Sequence, residues 1–176
     1  MKIINQYSSL FAAVMLFAAL SVTIAKAETR QRLTQKDCSQ IFSRTDDCQS
    51  STNIEGELYC KAWYRGFGDD PDEFLGYVFL KPFSVEGTNA QLLIGITENS
   101  SVYRVKVKGV NSINQQFLSQ FEGKRKGDNF EIARSLDDIL YVPSKVKAMR
   151  GDVRTSQTIS NAVKEVLDSV NKPTLN

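Results

Sequence analysis

The chain offers few residues that could do chemistry, and the most promising group lies near its C-terminus. Within Val146–Val170, Gly151 interrupts the run, Thr155 and Ser156 supply hydroxyls, and Arg150 and Arg154 add positive charge on either side. A glycine turn feeding a hydroxyl-capped helix start aims free backbone N–H groups and the positive end of the helix dipole at one point, and glycine lets an anion approach the backbone closely. The chemistry implied is phosphate binding. Plain helix capping is the simpler role for the same residues.

Cys38, Cys48 and Cys60 form a second group. Nine and eleven residues separate them, a spacing that suits no common metal or redox motif. In an exported protein two of the three would pair, in any of three ways, leaving one thiol either joined to a partner or idle in the interior. The chain contains no histidine. That excludes c-type haem attachment, histidine zinc sites, Ser-His-Asp and Cys-His catalysis in their usual forms, and any imidazole general base. Four carboxylates in Gly66–Glu73 (Asp69, Asp70, Asp72 and Glu73) have the charge of a calcium loop, but Pro71 interrupts them and EF-hand spacing is lacking, so a solvated loop is expected.

The elements that must position these groups follow from apolar periodicity. A short helix is expected around Lys36–Ser43, docking through Ile41 and Phe42, and a strand over Leu58–Tyr64 bearing Cys60 and Trp63. Phe74–Phe83 and Gln91–Thr97 read as two strongly apolar strands. Val102–Val110 alternates, which places Tyr103, Val105 and Val107 on a buried face and Arg104, Lys106 and Lys108 on a wet one. Asn99-Ser100-Ser101 falls where the preceding hairpin needs its turn. A helix over Ser112–Phe121, capped by Asn111 or Ser112, would bury Ile113, Phe117, Leu118 and Phe121. Phe130–Tyr141 is expected to be irregular, with Ile132, Leu136, Ile139 and Leu140 available to the core, and Pro143 closes it. In the final helix Ile159, Ala162, Val163, Val166, Leu167 and Val170 share one face. Consecutive strands followed by helices indicate an α+β fold: an antiparallel sheet with packed helices, in a single domain with a C-terminal amphipathic helix.

Met1–Ala27 reads as an export signal, with Lys2 near its start, an apolar run from Leu10 to about Ala25, and an A-x-A pattern at Ala25–Ala27. The apolar run is shorter than the roughly 20 residues a spanning helix prefers, so cleavage and a periplasmic or otherwise exported location are expected; an uncleaved membrane anchor is the alternative. The chain has 22 Lys and Arg against 20 Asp and Glu, and the leader holds two of the basic residues. The mature chain therefore carries no formal net charge and has no global field to attract nucleic acid or an anionic membrane, so neither is expected as a partner, and no direct membrane insertion is expected after signal cleavage.

Taken in order, several runs resemble the FMN-binding domain: Gly76-Tyr77-Val78-Phe79, Leu92-Leu93-Ile94-Gly95-Ile96, the charged strand to Val110, Phe117 through Lys124, and Val146–Val170. That domain occurs in the flavin-carrying subunits of sodium-translocating quinone reductase and Rnf-type electron transport complexes, and in exported single-domain electron carriers. Its signature, S-G-A-T-x-[ST]-S before a helix, carries FMN on the first threonine. Here Arg150 takes the serine position, Gly151 matches, Asp152 replaces the alanine, Val153 replaces the acceptor threonine, Arg154 is the variable residue, and Thr155 and Ser156 match the last pair. Valine has no oxygen to bond phosphorus, so covalent attachment there is chemically impossible. The similarity covers about Phe74 to Val170, so the expected division is residues 1–27 as the signal peptide, 28–66 as a cysteine-bearing segment, 67–171 as the domain that resembles the FMN-binding domain, and 172–176 as a tail. The resemblance implies non-covalent FMN on Arg150, Gly151, Arg154, Thr155 and Ser156, in an electron carrier serving membrane or periplasmic redox proteins and needing no acid–base residue of its own. The alternative is an accessory or binding module that keeps the fold without the flavin.

Overall fold

The structure is a computed structural model and describes residues 32–52, 57–142 and 144–170; the expected signal segment and the tail after Val170 lie outside the described residues. The described residues fall in one compact unit. Helix α1 (Gln35–Ile41) is followed by five strands, β1 (Asp47–Thr52), β2 (Leu58–Tyr64), β3 (Glu73–Val85), β4 (Thr88–Ile96) and β5 (Val102–Lys108). Then come α2 (Gln115–Ser119), β6 (Ile132–Ala133), α3 (Leu136–Tyr141), β7 (Val146–Lys147) and the long α4 (Val153–Val170). Strands β1 to β5 form one antiparallel sheet in sequence order, while β6 and β7 make a small parallel pair. The fold is α+β, as the order of apolar segments implies. No described helix is long and apolar enough to cross a membrane.

The near-continuous apolar character of β3 and β4 has a structural cause, since helices cover both faces of the sheet there. On one face Phe79, Leu92, Ile94, Ile96 and Val105 meet Phe117, Leu118 and Phe121, and the stripe Ile159, Val163, Val166 and Leu167 of α4. Full burial of each such side chain contributes roughly 1.5–3 kcal/mol, which is why an 18-residue helix with a polar outer face is held here. On the opposite face Cys60, Ala62, Val78, Leu80 and Leu93 meet Leu33, Cys38, Ile41 and Phe42 from and around α1. The cysteine-bearing segment thus contributes β1 and β2 to the same sheet as the rest of the chain, and α1 to one of its faces.

Two glycines let α1 settle on that second face. A Cβ on Gly95 would come within 2.2 Å of Ile41 Cγ2, and one on Gly76 would come within 2.2 Å of the Ile96 carbonyl oxygen and 2.9 Å of the Phe42 ring. Gly76 also has a φ of +141°, which side chains rarely adopt. The helix itself begins with a capping box: the Thr34 hydroxyl accepts the Asp37 N–H, and the Asp37 carboxylate accepts the Thr34 N–H.

Several expectations need correction. The alternation over Val102–Val110 is broken, because the register steps from Ile96↔Val102 to Gly95↔Arg104 and leaves Tyr103 as an extra residue. Tyr103 therefore does not share the Val105 face but stacks on Phe42 at 4.7 Å. The basic face is not simply wet either, since α1 packs over part of it and Lys108 pairs with Asp37. The edge strand β1, DCQSST, was not expected; it is polar and pairs through its backbone with β2. Helix α2 starts later than its apolar pattern implies, with Asn114 as cap, accepting the Gln116 N–H at 2.7 Å. Within Phe130–Tyr141 a strand and a helix form, and Leu140 is 73% exposed instead of joining the core. In the acidic loop Asp72 binds Arg65, whose other nitrogen reaches Asp47.

Candidate functional site

The turn before α4 is built from the inside out. β7 is pinned by Gln120, whose side chain accepts the Lys147 N–H at 2.8 Å and donates to the Lys147 carbonyl at 3.0 Å. Met149 to Asp152 then form a tight turn closed by the Asp152 N–H on the Met149 carbonyl at 3.1 Å. Gly151 is the third residue of that turn with φ +80°, the position at which type II geometry requires positive φ. A Cβ there would meet nothing within 4 Å, so the glycine serves backbone conformation and not close packing.

Asp152 is the helix cap. Its Oδ1 accepts the Thr155 N–H at 2.9 Å, the bond from an N-cap side chain to the third helical residue that satisfies one of the orphan donors. Ser156 is fully buried; its hydroxyl donates to the Asp152 carbonyl at 2.6 Å and accepts the Met149 N–H at 2.9 Å. Thr155 is buried at 8% exposure. Of the five residues named from the sequence, Arg150, Gly151 and Arg154 stand on the surface, and Thr155 and Ser156 are turned into the protein. Val153, at the position of the acceptor threonine, is 48% exposed and presents only methyl groups.

These residues do not fit an FMN phosphate held as the resemblance implies. The bond to a threonine has no oxygen to form on, the Ser156 hydroxyl is occupied on both its donor and acceptor sides, and a carboxylate already sits on the helix terminus. A phosphate dianion would have to displace Asp152 or share the helix end with a like charge at close range, which is unfavourable.

Beside the turn lies a cleft of about 450 Å³ lined by Gln120, Glu122, Gly123, Lys124, Asp128, Ser144, Lys145 and Val146, and by none of the five. Its lysines are engaged by the fold. Lys124 Nζ donates to the carbonyls of Asn129 at 2.6 Å and Ser144 at 3.2 Å and lies 5.3 Å from the centre of the Phe130 ring. Burial pushes its pKa down, partly offset by the charge of Asp128. Lys145 pairs with Asp138 at 2.9 Å and Glu131 at 3.4 Å, and its hydrogen bond to Asp138 leads the interactions that raise its pKa against some desolvation. The position of Lys124 after Phe121-Glu122-Gly123 is visible as a run, whereas its bond to the Ser144 carbonyl, 20 residues away, depends on tertiary placement.

The three cysteines come together on the other face. Cys38 of α1 and Cys48 of β1 form a disulfide, which resolves the three open pairings, and Cys60 of β2 is a buried free thiol. No protein-family model matches the chain, and no curated protein matches it.

Proposed function

We propose that this chain is an exported accessory or binding module that keeps the architecture of an FMN-binding domain and carries no flavin at the turn before α4. The observation that carries this reading is the Asp152 carboxylate on the Thr155 N–H at 2.9 Å, where the phosphate would otherwise bind. Two further features support it: the exposed methyl groups of Val153 and the saturated, buried hydroxyl of Ser156. A site selected to hold an anion keeps its donors free, and this turn commits the Thr155 and Met149 N–H groups to its own side chains. With the phosphate turn closed, the work of the module falls to its surfaces and to a protein partner in the exported compartment.

A second reading, an electron carrier with non-covalent FMN passing electrons to membrane or periplasmic redox proteins, is favoured by the exposure of Arg150, Gly151 and Arg154 on one turn with open space at Gly151. Titration of FMN into the purified mature chain, followed by flavin fluorescence, separates the two. The module reading predicts no saturable binding. Saturable binding that is lost on Arg150→Ala and Arg154→Ala would establish the carrier instead.

A further inference from the structure

Cys60 is more than a spare thiol. Its sulfur and those of Cys38 and Cys48 all lie within 4.8 Å of one another, so a thiol is packed directly against a disulfide. Three elements meet to do this: α1 supplies Cys38, β1 supplies Cys48, and the antiparallel register sets Cys60 opposite Ser50, two residues along from Cys48. The two ends of the cluster differ in exposure. Cys38 and Cys60 are fully buried, while Cys48 is half-buried on the edge strand.

We propose that Cys38, Cys48 and Cys60 form a thiol–disulfide exchange centre in which the disulfide moves from Cys38–Cys48 to Cys38–Cys60 and frees Cys48 as a surface thiol for a disulfide-bearing partner. In the step, Cys60 gives its proton to solvent and the thiolate attacks Cys38 Sγ. The Cys38–Cys48 bond breaks, its electron pair leaves on Cys48 Sγ, and Cys48 takes up a proton. One disulfide and one thiol stand on each side, so neither oxidant nor reductant is consumed.

The direction of attack follows from the leaving group. Attack on Cys38 expels the better-solvated Cys48 thiolate. Attack on Cys48 would expel a thiolate at fully buried Cys38, next in sequence to the carboxylate of Asp37. The groups around Cys60 set its pace: burial raises its pKa, the Ser50 hydroxyl at 3.3 Å lowers it, the charge of Asp37 on α1 raises it and that of Arg32 lowers it, with a net rise. Lys108 of β5 neutralises part of Asp37. Exchange is therefore slow at neutral pH and accelerates as the pH rises toward the thiol's raised value.

The test uses the oxidised mature chain without reductant. The native protein is treated with iodoacetamide at pH 7 and pH 9, quenched in acid at timed intervals, digested, and mapped for both alkylated and disulfide-linked peptides. The expected product is alkylated Cys48 in a chain bearing Cys38–Cys60, forming roughly tenfold faster per pH unit while the thiol remains mostly protonated. In Cys60→Ser and in Cys60→Ala, Cys48 stays unlabelled. The proposal is overturned if label appears only on Cys60 with Cys38–Cys48 intact, or if Cys38–Cys60 forms at neither pH. The mapping of the native chain decides this even if both variants fold poorly.

Discussion

Asp37 Oδ1 lies 2.5 Å from Lys108 Nζ, and this pair ties α1, the first of the described helices, to the last strand of the sheet, 71 residues away. Asp37 is also the third helical residue of α1 and closes its capping box with Thr34, so one buried carboxylate ends both a local and a long-range link. Removing one partner of a buried pair leaves the other uncompensated, at a cost of about 3–5 kcal/mol when both are fully enclosed. The Lys108 side chain is 36% exposed, which lowers the figure. Lys108→Met is expected to destabilise the protein by roughly 2 kcal/mol in chemical denaturation, with an unchanged sheet signature by circular dichroism.

The same pair predicts a pH dependence. Burial pushes the Asp37 pKa up, but the hydrogen bonds from Lys108 and Thr34 and the Lys108 charge outweigh it, and the net shift is below the ordinary 3.8. A depressed carboxyl pKa contributes stability that is fully present above the unfolded value and is lost as pH falls through the folded one. The stability difference between wild type and Asp37→Asn is therefore expected to be flat above about pH 5 and to shrink as pH drops below 3.8. A difference that grows on acidification would contradict the assignment.

Gly95 and Ile41 make a packing prediction. Gly95→Ala places a methyl group on Ile41 Cγ2, and overpacking of this kind costs about 1–3 kcal/mol. In an Ile41→Ala background the added methyl has room, so the second substitution should cost distinctly less. Equal costs in both backgrounds, measured as a double-mutant cycle, would show that α1 does not rest on Gly95.

At the turn, Asp152→Ala removes the cap of α4 and should cost about 1 kcal/mol, while Asp152→Ser, which can also cap, should cost little. Val153→Thr lies on the exposed first turn and should change stability by less than about 0.5 kcal/mol. Thermal unfolding of the three variants side by side checks the assignment of Asp152 as the residue that closes the helix end.

Much of this framework could be read from residue order. The apolar runs of β3 and β4, the single stripe of α4 and the strand bearing Cys60 all fall where periodicity puts them, because burial acts directly on residue type. What escaped was set by geometry that periodicity does not record. The bulge at Tyr103 inserts one residue without a mark in the sequence and turns that ring onto Phe42. β1 forms from polar residues because its backbone pairs with β2, and the strand carries Cys48 toward Cys38. Lys108 looked like a solvated charge because its partner Asp37 lies far away in the chain. At the candidate site Gly151 and the helix start are legible, but Asp152 stands in the sequence only as a replacement for the alanine of the signature; that its carboxylate turns back onto the Thr155 N–H depends on the side-chain placement.

The most direct measurement is the visible absorption spectrum of the protein isolated from its native host, recorded before and after denaturation and filtration. A turn capped by Asp152, with Val153 in place of the acceptor, predicts a colourless protein and a colourless filtrate. Flavin absorbance in the filtrate, or retained on the denatured chain, would contradict the account.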